Sequence, residues 1–291
     1  MTPTRAQALA ALGSLCALPA CAPRGAIFVG SKNFTESIVI AELYAQALER
    51  GGLRVVRRLN LGSTQITMAA MARGQIDIYP EYTGTALIDV LHHAPIRDPA
   101  QSYDYVRSAF ARDFAITWLE RSPMNDSQGL ATTRAIAQRY GLRTLSDLAP
   151  LASRLRLATI PEFVTRPDGL PGLQQLYGGF RFASVRTYDI SLKYEALLHG
   201  QADIATAFTT DGTIATEHLV VLADDKHLWP VYNVAPLVRT ATLEREPRIA
   251  RVLDVLSPKI TDAAARAMNA QVEGNDRDPA DVASAFLDRM S

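Results

Sequence analysis

The sequence predicts an α/β protein of two similar lobes, each built on a central, largely parallel sheet flanked by helices, with a cleft between them. Three observations carry that prediction. The chain has 291 residues, more than a single core of ordinary size needs. A segment then repeats: Ala69-Ala70-Met71-Ala72-Arg73-Gly74-Gln75-Ile76-Asp77-Ile78 is echoed 126 residues later by Glu195-Ala196-Leu197-Leu198-His199-Gly200-Gln201-Ala202-Asp203-Ile204. This register pairs Gly74 with Gly200, Asp77 with Asp203 and Tyr82 with Phe208. Finally, each half opens on a strand pattern that runs into a polar loop and then a helix pattern, the alternation expected of a parallel α/β sheet.

The elements follow in order. Met1–Gln7 is polar with one positive charge, Arg5, and Ala8–Leu18 is an apolar run. A bilayer span takes about 20 apolar residues, so residues 1–20 read as a signal peptide instead. Leu18-Pro19-Ala20-Cys21 resembles the lipobox of bacterial lipoproteins, although Pro19 departs from the small or aliphatic residue usual there. Cleavage before Cys21 with lipidation of that cysteine is expected; cleavage and release is the alternative. Cys16 leaves with the leader, so the mature chain has no disulfide, and an oxidising exterior compartment suits it.

Ala26–Gly30 is a strand pattern leading into Ser31–Thr35, and a helix then runs to Arg50 before Gly51-Gly52. Ser63 is the expected N-cap of a helix that Gly74 stops, and a short buried strand follows to Tyr82. The second half repeats the scheme. Leu155–Thr159 leads into Pro161–Gly169, with a helix from Leu170 onward. Asp189 is the expected cap of a helix that Gly200 stops, and the next strand ends at Phe208.

Composition narrows the function. The chain is 48% apolar with 30 basic and 30 acidic residues, an ordinary globular balance with no positive surplus for a nucleic-acid partner. It has no G-x-S-x-G elbow, no phosphate-binding loop, no G-x-G-x-x-G after a strand and no H-E-x-x-H. The five histidines lack i, i+4 spacing, which argues against a metal. Asp224-Asp225 and Asp276/Asp278 fall in turns, where carboxylates cap backbone groups. Neither an enzyme nor a cofactor is expected.

In open parallel sheets ligands sit outside the carboxyl ends of the strands, so the loops at 31–35, 82–85, 161–169 and 208–213 should face one crevice. There Tyr82, Phe208 and Tyr232 offer π-faces, and Lys32 and Arg166 offer donors to an anion. Together they describe a pocket for a small zwitterion with a bulky cation at one end. Core packing is the alternative role of each ring, as it is for Trp118 and Trp229.

The motifs Val29-Gly30-Ser31-Lys32-Asn33-Phe34-Thr35-Glu36, Glu81-Tyr82-Thr83-Gly84-Thr85, Arg166-Pro167-Asp168-Gly169-Leu170-Pro171, Thr209-Thr210-Asp211 and Asp224-Asp225-Lys226-His227 resemble, in order from about Ile27 onward, the osmoprotectant-binding proteins of ABC importers, the OpuAC-like or ProX-like family. The resemblance implies a two-lobed periplasmic-binding-protein fold, type II-like, with lobe one at 27–125 plus 234–291 and lobe two at 126–233. It implies that Lys32, Thr85 and Arg166 hold a ligand carboxylate, and that Tyr82, Phe208 and Tyr232 line a cation cage beside Asp126 and Gln128. Two positions depart from the family pattern, since the best-known betaine binders carry a tyrosine where Phe208 and Gln128 stand. The expected ligand is therefore a quaternary ammonium solute, with glycine betaine, choline, carnitine and ergothioneine all open. The implied partners are an ABC permease and its ATPase subunit, with the protein monomeric and lipid-anchored through Cys21 in the periplasm or on the outer face of the cytoplasmic membrane. An exported enzyme or a ligand sensor on the same scaffold is the alternative.

Overall fold

A computed structural model describes residues 25–290; the leader and Cys21 lie outside the described residues. Ten strands run in chain order: β1 (Ile27–Gly30), β2 (Val55–Arg58), β3 (Ile78–Tyr82), β4 (Ile116–Trp118), β5 (Gln128–Thr132), β6 (Arg156–Thr159), β7 (Ser184–Thr187), β8 (Ile204–Phe208), β9 (Val220–Val221) and β10 (Val234–Arg239). They form two five-stranded sheets, ordered β2-β1-β3-β10-β4 and β7-β6-β8-β5-β9.

The two orders are the same order. The repeat read from the sequence sets β3 against β8, and the two sheets match strand for strand in order: β2 with β7, β1 with β6, β10 with β5 and β4 with β9. In each sheet the three strands on one side are parallel. The other two ladders are antiparallel, so each sheet is mixed. The reason is the route of the chain: β5 and β10 arrive from the opposite lobe. They enter at the carboxyl ends of the parallel strands and must run against them. Val234 pairs with Tyr82 and Gln128 pairs with Phe208, so each incoming strand starts beside the aromatic residue that ends the central strand.

The shared Gly-Gln-x-Asp segment has a local cause. Gly74 and Gly200 take φ of 68° and 66°, the left-handed conformation that ends a helix most easily at glycine. Asp77 then accepts the Phe28 backbone N–H at 2.9 Å, and Asp203 accepts the Arg156 N–H at 2.8 Å, so each carboxylate fastens the start of one strand to the neighbouring one. Asp77 also accepts from the Thr242 hydroxyl at 2.6 Å and is buried. Removing it strands one buried and one part-buried donor, at about 1–3 kcal/mol for the buried one when nothing replaces the acceptor. Asp77→Ala should therefore cost about 2 kcal/mol or more in urea unfolding; a loss under about 0.5 kcal/mol would mean the carboxylate is not the fastener.

Ser63 does stand at the N-cap position of Thr64–Ala72, but its hydroxyl goes to Gln65. Asp189 does not cap the next helix, which starts at Lys193; its carboxylate closes a turn by accepting from Ser191 N and Oγ. The helices Asp262–Glu273 and Pro279–Asp288 return to the first sheet, where Ala265, Met268, Val282 and Phe286 join the core around Val39, Leu43 and Leu253. The two stretches that pass between the sheets, 119–127 and 222–233, run side by side: Asn125 bridges Asn233, and the Asn125 Oδ1 accepts the Tyr232 N–H at 2.8 Å.

Candidate functional site

A cavity of about 480 Å³ opens at the carboxyl ends of β1, β3, β6 and β8, within the range typical of small-molecule sites. All four post-strand loops reach it. Lys32, Tyr82, Thr85, Asp126, Gln128, Arg166, Phe208 and Tyr232 all line it, so the structure brings together every described residue the sequence singled out for the site.

Tyr82 and Phe208 do not meet ring to ring. Phe34, by sequence one residue of a polar loop, lies between them. Its ring centroid is 6.0 Å from that of Tyr82 and 6.3 Å from that of Phe208, the second pair stacked at 15°. Phe34 sits immediately before the helix Thr35–Arg50 with an extended backbone, and its side chain lines the cavity. The available signal was an aromatic residue in an otherwise polar post-strand loop. Protein ammonium groups already lie over two of the rings: Lys32 Nζ is 5.1 Å from the Tyr82 centroid and Lys193 Nζ is 4.9 Å from the Phe208 centroid.

Tyr232 crosses from the interlobe stretch, and its ring presses on Gly84. A Cβ on Gly84 would lie 2.4 Å from the ring, which explains the glycine between Thr83 and Thr85. The Tyr232 hydroxyl donates to Asp168. Gln128 supplies no π-face to the cavity; its Nε2 donates to Asp168 at 2.7 Å and to the Tyr232 oxygen at 3.2 Å.

The charged groups are arranged differently from the sequence reading, which took Lys32 and Arg166 as open donors. Arg166 presents its Nε and Nη2 to both oxygens of Asp168, at 2.8 and 2.7 Å, a bidentate pair. Its Nη1 lies 3.7 Å from Asp89. Asp168 is fully buried, and Trp229 Nε1 fixes its backbone carbonyl at 2.7 Å. Lys32 donates to the buried Glu81. The cavity wall thus carries two cations, each paired, and four carboxyls: Asp89, Asp126, Glu162 and Asp189.

Asp126 is buried at the cage end and accepts from Thr210 Oγ1 at 2.6 Å. Burial, followed by the charges of Glu36 and Asp211, pushes its carboxyl well above the usual range. Glu36, in the first turn of Thr35–Arg50, accepts from the Tyr82 hydroxyl at 2.8 Å, and burial raises it from 4.5 to about 7. On sequence alone Glu36 is an ordinary first-turn acid that suits the helix dipole.

Residues 25–289 match the family model described as the substrate-binding domain of ABC-type glycine betaine transport systems. A glycine-betaine-binding protein of Pseudomonas aeruginosa is 35% identical over 269 residues, covering 89% of this chain and 86% of its own length. An ergothioneine transport permease/ergothioneine binding protein of Helicobacter pylori is 30% identical over 274 residues, covering 92% of this chain and 49% of that longer protein. A solved structure of a glycine betaine/carnitine/choline ABC transporter protein superposes with a TM-score of 0.75 at 30% identity, covering 90% of this chain and 98% of the other.

Proposed function

Because the chain belongs to the family of substrate-binding domains of ABC-type glycine betaine transport systems, we propose that it captures a trimethylammonium solute in the 480 Å³ cavity between its lobes and delivers it to a membrane permease driven by an ATPase subunit. The observation that carries the ligand class is the conjunction of three aromatic rings, Phe34, Tyr82 and Phe208, with a cavity wall whose carboxyls outnumber its cations. Aromatic faces attract a quaternary ammonium by about 0.5–2 kcal/mol each once water is excluded, and a neutral solute gains nothing from Asp126. The names borne by the relatives agree, since glycine betaine, ergothioneine, carnitine and choline all carry a trimethylammonium head.

In this reading Tyr82, Phe208 and Tyr232 with Phe34 surround the head, Asp126 supplies negative charge beside it, and Gln128 holds Tyr232 in place. Thr85 and Arg166 receive a carboxylate at the other end, while Lys32, paired with Glu81 over the Tyr82 ring, stays at the cage end. The lobes comprise 27–125 plus 234–291 and 126–233, and ligand contacts from both favour the closed arrangement. The role is capture and delivery, not catalysis, and it is performed outside the cytoplasm, as in ABC importers. We place the anchor at Cys21: Cys21→Ser should move the protein from the membrane to the soluble fraction, and a wild-type protein that is already soluble would remove the anchor from the account.

Calorimetric titration with glycine betaine, choline, carnitine, ergothioneine and the uncharged isostere 3,3-dimethylbutanol tests the ligand class. At least one trimethylammonium compound should bind more than about tenfold more tightly than the isostere. Equal binding of the isostere, or no binding by any of the four, would overturn it.

A further inference from the structure

The cage end of the cavity rests on a buried acidic layer. Glu36 and Asn269 come from the side of the first sheet, Thr210 and Asp211 from the loop after β8, and Asp126 from a stretch that passes between the sheets. Asn269 Nδ2 donates to Glu36 at 2.9 Å and to the Thr210 carbonyl at 2.8 Å. The Thr210 hydroxyl donates to Asp126 at 2.6 Å, and Glu36 accepts from Tyr82 and Asn269.

The charged groups facing this layer are few. Lys193 is committed to Asp211 at 3.0 Å, and Asp211 also accepts from the Tyr194 hydroxyl at 2.6 Å. Lys32, over the Tyr82 ring, is committed to Glu81. Glu273 lies beyond Asp211 and adds another acid, bonded to Thr213 at 2.7 Å. Among the described residues, Glu36 and Asp126 therefore have hydrogen-bond donors but no ion-pair partner. Nor is any group of three or more His, Cys, Asp or Glu among them arranged to hold a metal ion. One further atom is out of balance: Asn269 Oδ1 is buried and accepts no hydrogen bond, although it belongs to the amide that touches Glu36.

We infer that Glu36 and Asp126 together hold a proton while the cavity is empty and release it to solvent when a cation enters, the ligand's ammonium replacing the proton as their counter-ion. The inference rests on the ligand class proposed above. Asp126 lines the cavity and meets the cation directly, and Glu36 feels it through the charge of Asp126, the two acids being joined by the chain Glu36–Asn269–Thr210–Asp126. Isolated carboxylates this deeply buried are too costly to keep charged, so an acid without a counter-ion keeps its proton. A cation within a few ångströms reverses that preference. The two carboxyls titrate as a pair, and the proton belongs to the pair.

The sign of the pH dependence follows. Below about pH 7, where Glu36 holds its proton, binding must expel it, so affinity rises with pH and levels off once the pair is ionised. The empty protein shows the opposite trend in stability. The unfolded chain loses this proton near 4.5 and the folded chain near 7, so stability falls as pH rises between those values, and bound ligand should blunt the fall.

Choline chloride is the probe. Titrations at about pH 6 in phosphate and in an amine buffer, which differ in ionisation enthalpy, should report roughly 0.5–1 proton released per choline bound. Affinity should rise up to about tenfold between pH 6 and 7 and level off at higher pH. In Glu36→Gln the release should shrink and the pH profile flatten, because Asp126 loses its like-charged neighbour. The wild-type measurement stands without this variant if the variant fails to fold. Choline binding with no proton released, or affinity that falls as pH rises, overturns the inference and leaves the ligand class standing. Failure of every trimethylammonium probe to bind removes the ligand class, and the inference with it.

Discussion

Arg166→Ala should abolish tight binding of carboxylate ligands and weaken the fold at the same time, and the two effects can be separated. Arg166 is the bidentate partner of Asp168, whose side chain is fully buried. Removing one member of such a pair leaves an uncompensated buried charge and costs about 3–5 kcal/mol. The double variant Arg166→Ala/Asp168→Asn removes that charge and should recover much of the lost stability. The substituted amide still offers an oxygen to Gln128 and Tyr232, and the backbone carbonyl that Trp229 binds is unchanged. Ligand affinity should not recover with it. Loss of a desolvated charge contact costs about 2–5 kcal/mol of binding, or more than roughly 30-fold in Kd, so glycine betaine and carnitine should remain weak in the double variant. Choline, which has no carboxylate, should change by less than about tenfold. Calorimetry and urea unfolding on the three proteins decide it. If choline falls as far as glycine betaine in the double variant, Arg166 supports the fold and does not receive the carboxylate.

A second large effect is expected from the rings. Phe34 contacts both Tyr82 and Phe208, so Phe34→Leu removes one π-face and the spacer between the other two. It should weaken choline by roughly 3- to 30-fold, as a face worth about 0.5–2 kcal/mol requires, while Phe34→Tyr retains binding. The converse change concerns Phe208 and Gln128, which face each other in the β5–β8 ladder. Phe208→Tyr with Gln128→Tyr adds a ring at the cage, and the new hydroxyl at 128 can take over the donation to Asp168. Glycine betaine should then bind about tenfold more tightly or better. A double variant that binds it no better, or a wild type that already binds it in the nanomolar range, would show that Gln128 is no defect in the cage.

Much of the site was legible in the sequence because its residues follow strands, and strand ends are marked by repeat and by turn chemistry. Tyr82 and Phe208 were paired by the constant spacing to Gly74 and Gly200, whose left-handed conformations the structure bears out. Tyr232 and Asp126 had no such marker. They sit on the stretches between the lobes; Tyr232 was picked out only as an aromatic ring, and Asp126 only by the resemblance to a known family. Phe34, Glu36 and Lys193 were missed for one reason: each has an ordinary local explanation, as a loop residue, a first-turn acid and a helix lysine. Their roles depend on neighbours 46 or more residues away in the first two cases and on the Asp211 carboxylate in the third.

By itself the sequence determined the class of fold, its doubling, the ends of β1, β3, β6 and β8, the helix stops at Gly74 and Gly200, and the loops that converge on the cleft. These are local properties, written in hydrophobic period, in helix-stopping glycines and in the repeat of Asp77 and Asp203. Only the tertiary structure decided which charges are free. Lys32 and Arg166 read as open donors because their carboxylate partners are invisible as such in the chain: Glu81 lies 49 residues from Lys32, and Asp168, two residues from Arg166, reads as a turn residue. Whether a charge is satisfied depends on which groups share its low-dielectric surroundings, and that is settled by packing between elements distant in sequence. The antiparallel halves of the two sheets were hidden for the same reason, since the direction of β5 and β10 is set by the lobe the chain comes from and not by their own residues.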